Sequence, residues 1–304
     1  MNPRDGTRFP LLAPALIAGL ALGWGMNWPA MKIALAEIPL WHFRVGTCLV
    51  AGTSLLALAR MLGNTITPPP EEWPGLALSA LFNVTVWHVF VAYGLLIIGS
   101  GHASVLAFTM PLWAVLIERL VFGTRISRRN ALALGLGVAG VLVLLARGYA
   151  QVSQAPLGAA LVLVAAIGWA IGTLIQKRRR TSLSSVAMAG WQILIGSLPM
   201  IAIMPVVEGV HWPQASTLAW MATAYTTFVA LVFSYFAWFT IVRLMPVNVA
   251  SISSLLVPVV GVCAGAILLD EPFGWREVLA LLLIGTALTL VLVIPQRAPP
   301  ASRR

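Results

Sequence analysis

The sequence predicts an all-α polytopic membrane protein of ten transmembrane helices, arranged as two inverted five-helix repeats around a central cavity. Three observations predict it: a composition too apolar for water, ten uncharged runs of membrane-crossing length, and an internal repeat with an odd number of spans in each copy. Of 304 residues, 60% are hydrophobic and 9% charged, against about 25% charged in an average soluble chain. The mean hydropathy is +0.92. At roughly 30 residues for each span and its connection, such a chain holds about ten spans and little else.

The runs follow in order. Residues 11–34 carry Trp24, Asn27, Pro29 and Lys32; 39–59 begin at Pro39 and include Arg44; 73–98 hold Trp87 and His88; 101–122 hold Ser104 and Pro111. The next two are 130–146 and 156–176, the latter with Trp169 before the basic run Lys177-Arg178-Arg179-Arg180. The last four are 183–206, 214–242 with Tyr235 and Trp238, 245–269 with Ser251, Ser253, Ser254 and Pro258, and 275–294. Lipid satisfies no open backbone edge, and runs of about 20 apolar residues are too long for barrel strands, so each is predicted helical. Arg4 and Arg8 before a run ending in Ala34-Leu35-Ala36 imitate a signal peptide. The run is much longer than the usual signal core of about 7 to 15 residues, so it is expected to stay as the first span.

Placing alternate connections on alternate sides sorts the charge. Arg4, Arg8, Arg60, Arg119, Arg125, Arg128, Arg129, Lys177, Arg178, Arg179, Arg180, Arg243, Arg297, Arg303 and Arg304 fall on one side; Lys32, Arg147 and Arg276 fall on the other, with Arg44 inside a span. By the positive-inside rule both termini are expected in the cytoplasm, in an inner (plasma) membrane. The net charge of +10 is thereby explained without nucleic acid. Cys48 and Cys263 both lie in apolar runs and read as small buried hydrophobes.

Trp24 and Lys32 recur 145 residues later as Trp169 and Lys177, and Ser104 and Pro111 recur 147 later as Ser251 and Pro258. Residues 1–148 and 149–304 are therefore expected to be two five-span copies. An odd count inserts the second copy upside down, and inverted repeats are the layout of secondary transporters, which bind near the midplane and rock one half against the other.

The stretch Trp24-Gly25-Met26-Asn27-Trp28-Pro29-Ala30-Met31-Lys32, with Pro39 and Arg44 after it, resembles the opening of EamA-type members of the drug/metabolite transporter superfamily. Gly168-Trp169-Ala170 before Lys177 resembles their sixth-span signature, and Pro258 with Asp270-Glu271-Pro272 their ninth-span proline and following acidic turn. The resemblance covers residues 12–294. It implies ten helices in two inverted repeats and a cavity lined mainly by spans 1, 3, 4, 6, 8 and 9, in a group whose members export amino acids and other metabolites. The chain departs from the symmetric pattern after span four, where Gly123-Thr124-Arg125 stands in place of an acidic turn.

Polar groups inside lipid cost about 2.5 to 3.5 kcal/mol when charged, so the few that remain are the candidates. Asn27, beside the helix-breaking Pro29, either joins two helices or contributes with freed backbone groups to a zwitterion site. His88 aligns with Tyr235 at the 147 offset, so the two are expected to face one another; His88 reads as a substrate ligand, a proton acceptor or a packing histidine. Arg44 and Lys32 read as side chains snorkelling to the interface, or as carboxylate-binding or gate-forming charges. Glu118 reads as an interfacial partner of Arg119. Trp28, Trp41, Trp73, Trp212, Trp220 and Trp275 are expected in an aromatic belt. The deeper Trp24, Trp87, Trp169 and Trp238, with Ser251 and Ser254, are expected either to line the cavity or to pack between helices. Gly19/Gly23, Gly168/Gly172 and Gly261/Gly265 read as helix-packing seams.

No HExxH, GxSxG or GxxxxGKS motif occurs, and no Asp lies within a span, so an intramembrane enzyme or an ATP-driven pump is disfavoured. A channel is disfavoured because no span shows a ring of charge or a glycine-rich filter. The expectation is a cofactor-free exporter of small molecules, amino acids such as Phe, Met or Thr or else other metabolites or drugs, embedded in the bilayer as a monomer or homodimer.

Overall fold

The computed structural model describes residues 9–123, 126–148, 155–179, 181–244 and 247–290, and among these the regular structure is entirely helical. A helix stands at every predicted position. The first run is split at Met26 into α1 (Phe9–Gly25) and α2 (Asn27–Leu35). Pro29 has no N–H to return to the Gly25 carbonyl, and the interruption falls beside that carbonyl. Next come α3 (Leu40–Met61), α4 (Trp73–Ala80), α5 (Trp87–Ile98), α6 (Ser100–Ala107), α7 (Met110–Phe122) and α8 (Arg128–Gly148). The second half holds α9 (Ala155–Lys177), α10 (Ser185–Val207), α11 (Thr217–Ala224), α12 (Ser234–Leu244), α13 (Val247–Leu269) and α14 (Trp275–Leu288).

Six stretches among the described residues are long and apolar enough to cross a bilayer: Leu40–Met61, Pro70–Ile98, Ser100–Phe122, Pro156–Lys177, Ser185–Val207 and Thr217–Trp238. This makes the chain a multi-pass membrane protein. The remaining helices, the α1/α2 pair, α8, α13 and α14, complete the bundle around them.

Two irregularities were not legible in the sequence. α4 runs into α5 through a π-helical segment, Leu81–Val86, and α11 runs into α12 through a second, Tyr225–Phe233. His88 and Tyr235 each follow their π segment by two residues. The wider π ring releases carbonyls from the regular ladder and re-aims the residues beyond it. Side chains take up the slack: the Ser234 hydroxyl donates to the Val229 carbonyl at 2.9 Å, and the Thr85 hydroxyl to the Gly196 carbonyl of α10 at 2.6 Å.

The most extensive packings join one half of the chain to the other: α3 with α10, α5 with α9, α8 with α14, α1 with α13, and α6 with α13. Phe43, Leu55, Val91, Leu106, Ile193, Met200 and Ile284 are all buried in one continuous core. The predicted glycine seams lie at such crossings. Gly19 faces Phe233, Gly168 faces Val86, and Gly261 faces Ser104 and Trp28, so close backbone approach is what these small residues supply.

Candidate functional site

Arg44, one turn into α3, is 2% exposed. It does not snorkel. Its Nη1 donates to Nδ1 of His88 on α5 at 3.2 Å, its Nη2 to Sδ of Met31 on α2 at 3.3 Å, and its Nε has no partner. A guanidinium can only donate, so His88 Nδ1 is the accepting nitrogen and the ring proton sits on Nε2. That N–H is also buried without a partner. Asn27, one helical turn before Met31 on α2, has a buried Oδ1 that likewise accepts nothing. These polar groups therefore gather where α2, α3 and α5 of the first half meet, with the second π segment, Tyr225–Phe233, packed against α2 and α3. Cys48, one turn beyond Arg44, is buried as expected, whereas Cys263, expected to be buried, is exposed.

The deeper aromatic residues form two groups. The Trp24 ring lies 5.8 Å from Tyr235, edge to face, and 6.0 Å from Trp238, and its Nε1 donates to the Ala230 carbonyl, inside the second π segment, at 3.0 Å. Trp87 and Trp169 meet at 4.9 Å. Each group joins one half of the chain to the other. The side chains of Ser251 and Ser254 lie outside the described residues.

Lys32 ends up neither snorkelling nor free. From the last turn of α2 its Nζ reaches Oε1 of Glu271, just past α13, at 2.7 Å. Glu271 also accepts from the Ser100 N–H (2.7 Å), the Ser100 hydroxyl (2.8 Å) and the Gly101 N–H (2.8 Å), so it caps α6. A carboxylate at a helix N-terminus gains from both the free N–H groups and the dipole. Burial raises the Glu271 carboxyl, but the bonds from Lys32, Gly101 and Ser100 outweigh it and hold the group below the usual carboxylate value. Asp270 at φ 50° turns the chain out of α13, a conformation Asp tolerates better than most residues. Gly265 keeps the space open, since a Cβ there would stand 2.6 Å from Glu271 Oε2.

Lys177, the repeat counterpart of Lys32, pairs with Glu118 of α7 at 3.5 Å. The expected Glu118–Arg119 pair is replaced by this one; Arg119 instead donates to the Gly123 carbonyl at 3.1 Å. The i,i+1 positions of a helix diverge, whereas Lys177 arrives from another helix and can approach. Other loop carboxylates cap helix ends across the halves. Glu208 accepts from the Trp41 and His42 N–H groups, both at 3.0 Å. Glu37 accepts from the N–H and hydroxyl of Ser216 (2.6 and 2.7 Å), which hold its carboxyl below the usual value. Glu72 accepts from the Ser182 N–H and the Thr181 hydroxyl, both at 2.8 Å.

Two belt assignments are corrected. Trp28 and Trp41 are buried, Trp28 against Gly261 and Trp41 with its Nε1 on the Tyr93 hydroxyl at 3.2 Å, because their helix-start positions are covered by neighbouring helices. Trp212 and Trp275 are exposed as expected of a belt.

With this geometry in place, comparison with known proteins decides the class. The family model described as "EamA-like transporter family" matches twice, over residues 11–146 and 156–293. The chain belongs to the EamA-like transporter family. The two EamA matches divide it into two repeats, each carrying one member of the Trp24/Trp169 and Lys32/Lys177 pairs. Similar EamA relatives include "Uncharacterized transporter YvbV" of Bacillus subtilis (strain 168), 28% identical over 91% of this chain and 90% of that protein. Another is a "Probable amino-acid metabolite efflux pump" of Escherichia coli (strain K12), 27% identical over 87% of this chain and 89% of that one. A solved crystal structure, 19% identical, superposes with a TM-score of 0.66 over 92% of this chain and 96% of the other, which shows a shared fold. As an EamA-family transporter the chain works in a lipid bilayer on a small-molecule substrate.

Proposed function

We propose that the chain is an inner-membrane secondary exporter of amino acids with apolar or aromatic side chains, working by alternating access between two inverted five-helix repeats, residues 1–148 and 149–304. One observation carries the reading: the crossed ion pairs Lys32–Glu271 and Lys177–Glu118. The lysines are repeat-related and each takes a glutamate from the other half, as an inverted two-fold arrangement leads one to expect of the lysines; the glutamates are not repeat-related, since at the 147 offset Glu271 aligns with Thr124 and Glu118 with Gly265. The inter-half packings and the corresponding positions of the two π segments support the same symmetry.

In this reading all ten helical segments cross the membrane, the termini are cytoplasmic by the distribution of basic residues, and Lys32–Glu271 closes the outer end. That pair is short and reinforced by three further hydrogen bonds to Glu271, whereas Lys177–Glu118 is longer and Lys177 is 71% exposed. The conformation is therefore one latched outside and loosely held inside. Trp24, Tyr235 and Trp238, with Trp87, Trp169 and His88, wall the path, and Asn27 adds a polar contact; Ser251 and Ser254 stay candidates on their sequence position alone. The export direction and the amino-acid class draw on the printed name of the Escherichia coli relative. No cofactor enters, and the chain acts as a monomer or homodimer.

Proteoliposomes loaded with labelled phenylalanine, methionine and threonine are expected to release them without ATP, faster than empty liposomes, with and without an imposed proton gradient. Flux equal to empty vesicles across these and a broad metabolite panel would overturn the reading.

A further inference from the structure

Arg44 is a cation in the protein interior whose partners are a neutral imidazole, a thioether and the Phe43 ring, 5.2 Å away. Among the described residues no carboxylate pairs with it, and the acid nearest in sequence, Glu37, is committed to Ser216. Buried charges in proteins are paired, because an isolated one forfeits its hydration for nothing. Here the pairing is incomplete in a directional way. The two orphan atoms of the Arg44–His88 couple, Arg44 Nε and His88 Nε2, are both donors, so each lacks an acceptor, and at the uncompensated cation of Arg44 an anionic acceptor is the one that gains most.

We propose that Arg44 and His88 form a carboxylate-binding site, in which the substrate's own carboxylate supplies the missing counter-charge. A planar carboxylate matches the free Nε edge of the guanidinium fork, while His88 holds Nη1 from the other side and so fixes the fork's orientation. The orphan acceptor Oδ1 of Asn27, one turn along α2 from the Met31 that touches Arg44, provides for an ammonium on the same molecule. The π segment ahead of His88 has a part in this, since it re-aims the ring toward α3. The inference deepens the transport reading by naming the recognised group, and rests on that reading for its physiological sense. The substrate class it selects is a carboxylic acid with an apolar body; the matching amide or amine is rejected because it leaves the cation uncompensated.

Binding tests it apart from transport. Purified protein in nanodiscs is titrated with L-phenylalanine, L-methionine and 3-phenylpropionate, and with the amide of each, following thermal stability and tryptophan fluorescence. The acids are expected to stabilise the protein and the amides to bind roughly ten- to hundredfold more weakly. Arg44→Lys, which keeps charge but loses the fork, should narrow that preference, and Arg44→Met should abolish it while leaving the ligand-free protein at least as thermostable. No stabilisation by any of the three acids, equal binding of acids and amides, or an unchanged preference in folded Arg44→Met overturns the proposal. Arg44-dependent acid binding without flux leaves it standing and removes the transport reading; flux indifferent to acid or amide does the reverse.

Discussion

At the scale of single residues, the proposed site lies where polar atoms are buried and unspent. Asn27 Oδ1, His88 Nε2 and Arg44 Nε are buried without partners, as are His42 Nε2, Asn83 Oδ1, Asn130 Oδ1 and Thr226 Oγ1 elsewhere, and what sets the first three apart is the buried cation of Arg44 among them. Buried groups left without partners cost about 1 to 3 kcal/mol each, a cost retained where the partner is a ligand. Asn27→Ala and His88→Ala are expected to lower amino-acid flux in proteoliposomes roughly tenfold, while Trp73→Ala and Trp220→Ala, at the helix ends, change it little. Equal losses in all four would remove Asn27 and His88 from the site. These residues were visible in the sequence as rare polar groups inside apolar runs. Arg44 was visible too, but its closeness to the span end argued for snorkelling, and only the packing of α2 and α5 over it shows that its head group never reaches water.

At the scale of elements, carboxylates in the loops hold helix N-termini in the opposite half of the chain, and Glu271 on α6 is the most elaborate case. Its carboxyl is held below the ordinary value near 4.5. A depressed carboxyl contributes stability that is complete above its unfolded-state pKa and is lost as pH falls through the folded-state value. Glu271→Gln is therefore expected to lower thermal stability at neutral pH by the equivalent of about 2 kcal/mol, with the gap to the unaltered protein closing as the medium is acidified below pH 4.5. A gap independent of pH would show that the carboxylate charge contributes nothing. In the sequence Glu271 was legible only as part of an acidic turn. Its role depends on Lys32, 239 residues away, and on Gly265 leaving room, neither of which a local pattern encodes. The π segments escaped for a related reason: Leu81–Val86 and Tyr225–Phe233 carry no Gly or Pro to mark an irregularity, and each packs on helices distant in sequence, the first on α9 and α10 and the second on α3.

At the scale of the whole molecule, the proposed alternating-access cycle requires the Lys32–Glu271 pair to open each time. With Cys263 replaced by Ser, a Lys32→Cys/Glu271→Cys protein is expected to lose flux on oxidation and regain it on reduction. Undiminished flux from the oxidised form would mean that this end of the bundle does not move. The same logic makes Lys177 and Glu118 the pair that tightens when the first one opens.

The sequence by itself determined where the helical runs lie, their two-fold repetition and the family. The bilayer imposes a one-dimensional rule, about 20 apolar residues per crossing with basic residues on one side, and a one-dimensional rule can be read from a string. Only the tertiary structure decided which of the rare polar groups meet: Arg44 with His88, Lys32 with Glu271, Lys177 with Glu118. Those pairings join residues from different helices, brought within 4 Å by the packing of side chains along whole helix faces, and that is information no single run of residues contains.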